Sequence, residues 1–290
     1  MGWKICHPYP QIGSHQMKKV VITGSSGFIG RHTLPFLIKR GYEIYPLHVD
    51  LGAPTLHTKK FKEIGADALL HFAWETTPGA YWHASSNLDW LKSSLDLIQS
   101  FALCGGKRVV VAGSCAETIP STIYGACKES LRLSAAAFLR KQQMSFAWGR
   151  IFSPYGPYEY KQRLIPSLIQ NLLSNAPFTC TSQNHVRDFI FVEDVAEAFV
   201  SLLDSSVEGT IEMGSGEGIQ VKELVQLIAS KMGSASIHFS SSPEAGDNPS
   251  SLIANPTRLF QEVGFTPKHS LYEGIDKTIQ WWKKTCIKGM

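Results

Sequence analysis

The stretch VVITGSSGFIG at residues 20–30 decides the fold of this chain. It opens with four β-branched residues, a run typical of a short strand that is buried on both faces. Three evenly spaced glycines follow, and residues 31–40 have a helical pattern that ends at Gly41. A strand, a glycine-rich turn and a helix in this order predict that the backbone approaches a pyrophosphate, whose charge would face the helix N-terminus.

Strands and helices alternate from this stretch as far as residue 152. The predicted strands cover residues 42–49, 68–73, 108–112 and 145–152, and the predicted helices cover residues 88–103 and 125–140. This alternation predicts an α/β fold with a Rossmann-like, doubly wound parallel sheet. The expected divisions are a flexible leader at residues 1–16, a dinucleotide-binding domain at residues 17–152 and about 188–205, and a smaller interleaved C-terminal substrate-binding lobe at residues 153–187 and 206–286.

The composition excludes several classes of protein. Hydrophobic residues make up 43% of the 290 residues, enough for a buried core, and no apolar run approaches the roughly 18 residues of a membrane helix. A net charge of +4 is too small to indicate a nucleic-acid partner, although it suits an anionic small ligand. The six cysteines lack the spacing of metal ligands, so we expect a reduced, cytoplasmic protein without a bound metal.

The glycine turn predicts the position of a dinucleotide. The residues expected to contact it there are Gly24, Gly27, Phe28, Ile29 and Gly30. The residue that binds the ribose lies about 20 residues further on, at the end of the second strand. Asp50 would accept from the 2′-hydroxyl of NAD, whereas His48 in its place would tolerate the 2′-phosphate of NADP, with which Arg31 could pair. The pattern therefore leaves NAD and NADP open.

A Tyr-x-x-x-Lys motif, Tyr124 to Lys128, begins a predicted helix. Residues four apart share a helix face, so both side chains can reach one pocket. A Lys cation beside a phenol stabilises the phenolate, so Tyr124 could exchange a proton with a substrate oxygen while hydride moves to or from a nicotinamide. Ser114, just after a predicted strand, would bond the same oxygen. We expect Ser114, Tyr124 and Lys128 to be catalytic, and Tyr124 and Lys128 also to contact the cofactor.

Together these motifs resemble the extended short-chain dehydrogenase/reductase family, the group of NAD-dependent nucleotide-sugar epimerases, dehydratases and reductases. The resemblance runs from residue 18 to residue 284, through TGSSGFIG (23–30), DALLHFA (67–73), Asn87, GS (113–114), YGACK (124–128), RIF (150–152), YGP (155–157), VRDFI (186–190) and VEDV (192–195). It implies NAD or NADP as cofactor, a nucleotide diphosphate-sugar as substrate, and a homodimer. It also implies that Phe72 and Ala73 line the cofactor and that Arg187 holds the substrate pyrophosphate.

Departures from the family pattern narrow the expected chemistry. Family 4,6-dehydratases carry an Asp-Glu pair where this chain has Cys115 and Ala116, so we expect no dehydration. Epimerase-reductases of the fucose type carry a Cys and a His where Ala116 and Arg163 stand, so inversion beside a ketone also lacks a base. With dehydration and inversion beside a ketone set aside, the expected reaction is hydride transfer at one carbinol carbon of the substrate. A 4-epimerase and a 4-keto reductase both need only the Ser, Tyr and Lys set.

Further departures fall in the expected substrate site. The segment between Ser114 and Tyr124 is about half as long as is usual in the family. Ser153 stands in place of an Asn that contacts substrate, and Trp74 in place of a small residue near the cofactor, where it could stack on a ligand or join the core. The expected substrate-binding residues are Trp74, Ser153, Arg163 and Arg187.

Two other functions stay open at this point. One is a reductase of a non-nucleotide carbonyl compound, and the other is a catalytically silent nucleotide-binding sensor or scaffold. The presence of both Tyr124 and Lys128 argues against the second. For the favoured enzyme, the resemblance implies a place in surface-polysaccharide or deoxysugar synthesis.

Overall fold

A computed structural model of the chain describes residues 18–49, 51, 54–233, 237–240 and 249–288. The strands are β1 (Lys19–Thr23), β2 (Glu43–Leu47), β3 (Ala68–His71), β4 (Arg108–Ser114), β5 (Ser145–Ile151), β6 (Ser153–Tyr155), β7 (Phe178–Cys180), β8 (Val186–Arg187), β9 (Phe189–Phe191), β10 (Gly209–Met213), β11 (Ile219–Gln220), β12 (Ile237–Phe239) and β13 (Ser251–Leu252). The helices are α1 (Phe28–Lys39), α2 (Pro54–Ile64), α3 (Ser86–Leu103), α4 (Ile123–Lys141), α5 (Leu164–Leu173), α6 (Val192–Asp204), α7 (Val221–Met232), α8 (Thr257–Gln261) and α9 (Leu271–Lys288), with a short 3₁₀ helix at Cys115–Thr118. The predicted leader, residues 1–16, lies outside the described residues.

The main sheet has six parallel strands in the order β10-β5-β4-β3-β1-β2. Alternate residues of β1 face opposite layers, because Val20 packs in the core beneath α1 and α6 while Val21 packs in the core beneath α2, α3 and α4. Both faces are covered, which explains why the central strands are apolar without alternation. The predicted α/β class with a Rossmann-like, doubly wound parallel sheet is confirmed.

The carboxyl ends of the central strands lie level with one another. Thr23 of β1 pairs with His71 of β3, which in turn pairs with Val111 of β4. The glycine turn, the segment from Phe72 and the end of β4 therefore emerge side by side. Ligands of such sheets bind at this edge.

The C-terminal part of the chain forms smaller sheets and its own core. The sheets have the orders β11-β8-β13, β12-β7 and β6-β9, and α5, α7 and α9 share a hydrophobic cluster. The strand β10, which the sequence pattern placed in the second lobe, pairs with β5 at the edge of the main sheet. The sequence pattern did not predict the helix α2. The strand β4 runs two residues further than predicted, so Ser114 is the last residue of that strand.

Helices suited to a membrane are absent from the described part of the chain, since none is both long and apolar enough to cross a bilayer.

Candidate active site

A pocket of about 470 Å³ opens at the carboxyl edge of the main sheet, with walls from both parts of the chain. It brings together most of the residues that the sequence singled out, which are Gly24, Gly27, Phe28, Ile29, Gly30, Phe72, Ala73, Trp74, Tyr124, Lys128, Ser153, Arg163 and Arg187. Ser114 and His48 are not among its lining residues: Ser114 is hydrogen-bonded to Tyr124, which does line the pocket, and His48 is exposed beyond the end of β2. Asp50 lies outside the described residues, so the structure leaves the choice between NAD and NADP open.

The glycine turn is shaped for close approach between backbone segments. Gly24 has a φ of +68°, and a Cβ there would lie 2.8 Å from the Ala73 nitrogen. A Cβ at Gly30 would lie 2.1 Å from the Gly24 oxygen, so neither position tolerates a side chain. The helix α1 starts after Gly27, which has no side chain to cap the first N–H groups. These donors, beside the pocket, fit a pyrophosphate well.

Tyr124 lies on the first turn of α4, where it is only 6% exposed. The sequence predicts that Lys128 stabilises the phenolate form of Tyr124, but in the structure burial has the largest effect on the pKa of this phenol. Burial raises the pKa of Tyr124 above its ordinary value, while the hydrogen bond with Ser114 acts in the opposite direction. The phenol is therefore protonated at neutral pH, and it is ready to donate to an oxygen of a ligand.

Lys128 is buried one helical turn after Tyr124. Its Nζ donates to the Ala112 oxygen at 2.9 Å and lies 4.0 Å from the centre of the Trp74 ring. Burial lowers the pKa of the Lys128 ammonium to about 7, and the negative charge of Glu117 partly opposes this shift. The Trp74 ring thus covers the Lys128 amine in the pocket wall, a contact that its place in the sequence did not reveal.

Three aromatic rings surround the Tyr124 phenol. Tyr81, Trp82 and Trp74 meet it at near-perpendicular angles, with ring centres 4.9, 5.7 and 6.3 Å away. The Trp82 oxygen also accepts from the Tyr124 N–H at 3.1 Å. Trp74 is held in turn by stacking on Trp90. The cage excludes water from the phenol and fixes its orientation.

Glu117 is a residue of the site that the sequence interpretation missed. Its side chain is completely buried; Oε1 accepts from Trp148 Nε1 and Arg150 Nε, both at 2.7 Å, and Oε2 accepts from the Ser114 N–H at 3.2 Å. A Cβ at Gly113 would lie 2.0 Å from Trp148 Nε1, so glycine there makes room for this network. The Ser-x-x-Glu spacing from Ser114 is that of a capping box, and this signal could have found it.

A second acidic residue, Glu159, lies in the pocket wall, and it too was missed. Burial raises the pKa of its carboxyl group to about 8, and nearby Arg163 and a hydrogen bond from the Gly156 N–H partly offset that effect. Arg163 lies over the Tyr81 ring at 5.2 Å and donates to the Thr76 oxygen at 3.3 Å. No motif marked Glu159, because its burial depends on the turn that carries it.

Comparison with known proteins gives the family of the chain. The model of the NAD dependent epimerase/dehydratase family matches residues 20–214. The chain belongs to this family. The resemblance to nucleotide-sugar epimerases and dehydratases is thereby confirmed, and so is the expected nicotinamide dinucleotide cofactor, NAD(P). The family covers both epimerases and dehydratases, so membership alone leaves the reaction undecided.

Individual members of the family match over most of the chain. A UDP-glucose 4-epimerase of Corynebacterium glutamicum is 24% identical over 302 residues, which covers 87% of this chain and 92% of that protein. The solved structure of a Thermus thermophilus UDP-glucose 4-epimerase in complex with NAD superposes with a TM-score of 0.81 at 24% identity, covering 91% of this chain and 99% of that one. A dTDP-glucose 4,6-dehydratase of Bacillus anthracis in complex with NAD superposes with a TM-score of 0.82 at 18% identity, covering 92% and 97%. Such likeness shows a shared fold.

Proposed function

We propose that this chain catalyses NAD(P)-dependent hydride transfer at a carbinol or ketone carbon of a nucleotide diphosphate-sugar, as a 4-epimerase or a 4-keto reductase. The observation that carries the proposal is the meeting of Tyr124 and Lys128 with the glycine turn in one pocket, beside Ser114. When bound, the nicotinamide accepts or supplies the hydride. The glycine turn and α1 would hold its pyrophosphate, and Phe72 and Ala73 would line it.

The protein side chains handle the proton. The protonated Tyr124 phenol donates a hydrogen bond to the ketone oxygen and transfers its proton as that carbon is reduced; oxidation of a carbinol reverses this path. Ser114 bonds the same oxygen. The Lys128 ammonium, when charged, favours the phenolate that remains after the transfer.

The residues after Ser114 favour hydride transfer over elimination of water. Cys115 and Ala116 offer no carboxyl group to the pocket, and burial raises the pKa of the Cys115 thiol to about 11. Glu117 is bonded to Trp148 and Arg150. We therefore propose that the chain is not a 4,6-dehydratase.

A nucleotide diphosphate-sugar is the substrate class that the polar lining of the pocket suits best. Arg187 lines the pocket and would bind the pyrophosphate through its guanidinium group. Trp74, Ser153 and Arg163 line the same pocket as Arg187 and the proposed catalytic residues. Relatives named for UDP-sugars support this assignment.

Mass spectrometry of the ligands that copurify with the protein tests the proposal. Retained NAD would favour the epimerase, whereas uptake of NADPH with turnover of a 4-keto sugar would favour the reductase. Tyr124→Phe should abolish turnover and leave nucleotide binding intact. Failure of every nucleotide diphosphate to stabilise the protein would favour a non-nucleotide carbonyl substrate, and a Tyr124→Phe variant with full function would favour the silent scaffold.

We also propose a homodimer formed through α3 and α4. Leu88 on α3 and Leu133 on α4 are more than half exposed, at 58% and 54%. Exposed leucines on two neighbouring helices suit a symmetric interface. Light scattering should give twice the mass of one chain, and Leu133→Arg should reduce it to one.

A further inference from the structure

The carboxyl group of Glu159 is buried in the pocket wall with part of its hydrogen-bonding capacity unused. Its Oε2 is buried and has no hydrogen-bond partner among the described residues. A buried carboxyl oxygen without a partner costs free energy, and native proteins seldom keep one unless something else satisfies it. Glu159 lines the same pocket as Tyr124, so a ligand of that pocket can supply the partner.

The turn that carries Glu159 is held firmly in place. The preceding residue, Tyr158, has a φ of +68°, an uncommon conformation for a residue with a side chain. Its ring packs against Trp281 at 4.7 Å and lies under the Arg31 guanidinium at 4.3 Å. Backbone strain of this kind persists only where the surroundings impose it. Tyr158 therefore anchors the turn from outside, next to the residue that lines the pocket.

A continuous wall connects Glu159 with the catalytic tyrosine. Arg163 acts on the Glu159 carboxyl group through its charge, and its Nη1 lies 3.5 Å from the Tyr81 hydroxyl. The Tyr81 ring in turn contacts the Tyr124 ring, with centres 4.9 Å apart. A ligand group against Glu159 is thus separated from the reacting phenol by Arg163 and one ring.

We propose that the Glu159 carboxyl group hydrogen-bonds a hydroxyl group of the substrate's sugar ring and so helps to set sugar specificity. This inference rests on the proposed function. A sugar hydroxyl both donates and accepts, so it can pair with the carboxyl group in either protonation state. A phosphate offers acceptors and negative charge, which suit Arg163 and Arg187 instead.

Calorimetric titration of the full chain with UDP-glucose and with UDP tests the inference. Glu159→Leu removes the hydrogen bond at nearly constant volume, so we expect it to weaken UDP-glucose binding about tenfold or more and to change UDP binding by less than about twofold. Glu159→Gln keeps a donor and an acceptor and should retain most of the affinity. Gln162→Leu, an exposed residue of the same segment, is the matched control and should change neither titration.

The outcomes separate this inference from the proposed function. If the wild-type protein binds neither UDP nor UDP-glucose, nor the thymidine counterparts, the nucleotide-sugar function fails and this inference fails with it. If the wild-type protein binds both and Glu159→Leu leaves both affinities unchanged, the sugar contact alone is overturned. Equal loss of both affinities also overturns it, because Glu159 would then serve the nucleotide or the shape of the pocket. Thermal unfolding should show Glu159→Leu to be at least as stable as the wild type.

Discussion

Glu117 and Glu159 are both acidic residues of one site, yet their surroundings are opposite. Glu117 is fully buried and accepts hydrogen bonds from Ser114, Trp148 and Arg150. Glu159 lines the pocket, and its Oε2 has no partner in the described structure. A buried carboxylate with its hydrogen bonds made supports the protein around it, whereas a buried carboxyl oxygen without a partner at a pocket is available to a ligand. The contrast separates a structural role from a binding role.

The largest expected effect is on stability, from Glu117→Leu. This change leaves Trp148 Nε1 buried without its acceptor and removes one partner from a buried ion pair, so it should lower the free energy of unfolding by about 3 kcal/mol. Urea denaturation at pH 7 measures the change. A loss in the free energy of unfolding below about 1 kcal/mol would mean that the hydrogen bonds of Glu117 do not stabilise the fold as proposed.

The next effect is the pH dependence that Glu159 imposes. Its pKa is about 8 in the folded protein, above the ordinary value of 4.5, so the unfolded chain releases this proton at lower pH. The contribution of Glu159 to stability should therefore fall as pH rises from about 4.5 to about 8, by a few kcal/mol, and that contribution should change no further above this range. Urea denaturation at several pH values should show this decline in the wild type and a flatter profile in Glu159→Gln. If the pH profiles of the wild type and Glu159→Gln were parallel, the Glu159 carboxyl group would already have its hydrogen-bond partners within the folded protein.

A smaller effect is expected on catalysis from Glu117→Gln. The amide keeps the shape of the side chain, but its NH₂ group cannot accept from the Ser114 N–H, so Ser114 should shift. We expect kcat to fall about tenfold to a hundredfold with little change in KM, since Ser114 bonds the reacting oxygen in the proposed mechanism. Steady-state kinetics on the substrate found by copurification measures both. A rise in KM at constant kcat would instead place Glu117 in substrate binding.

The smallest effect should come from Glu212→Gln, the matched control for Glu117. Glu212 pairs with the same Arg150, at 3.0 Å, but is partly exposed and does not contact Ser114. Its loss should cost less than about 1 kcal/mol and leave kcat unchanged. If Glu212→Gln matched Glu117→Gln in its effect on kcat, the Arg150 position would matter more than the bond to Ser114.

Much of the fold and the cofactor side of the site could be predicted from the sequence. The strand, turn and helix around Gly24 are contiguous, and the Tyr124–Lys128 spacing is a property of one helix. The substrate side of the site was harder to predict from the sequence. The edge strand β10 and the aromatic cage around Tyr124 depend on segments that meet only after folding.

The sequence by itself determined most elements of the main sheet, their order and the family, because β-branching, glycine spacing and helical periodicity act between near neighbours. Tertiary structure alone decided the state of each ionisable group. Glu117 is satisfied by side chains 31 and 33 residues away, and Tyr124, Lys128 and Glu159 have shifted pKa values because other segments exclude water from them. Burial is a property of the whole packed chain, and for that reason no local pattern revealed which acidic residue was free to bind a ligand.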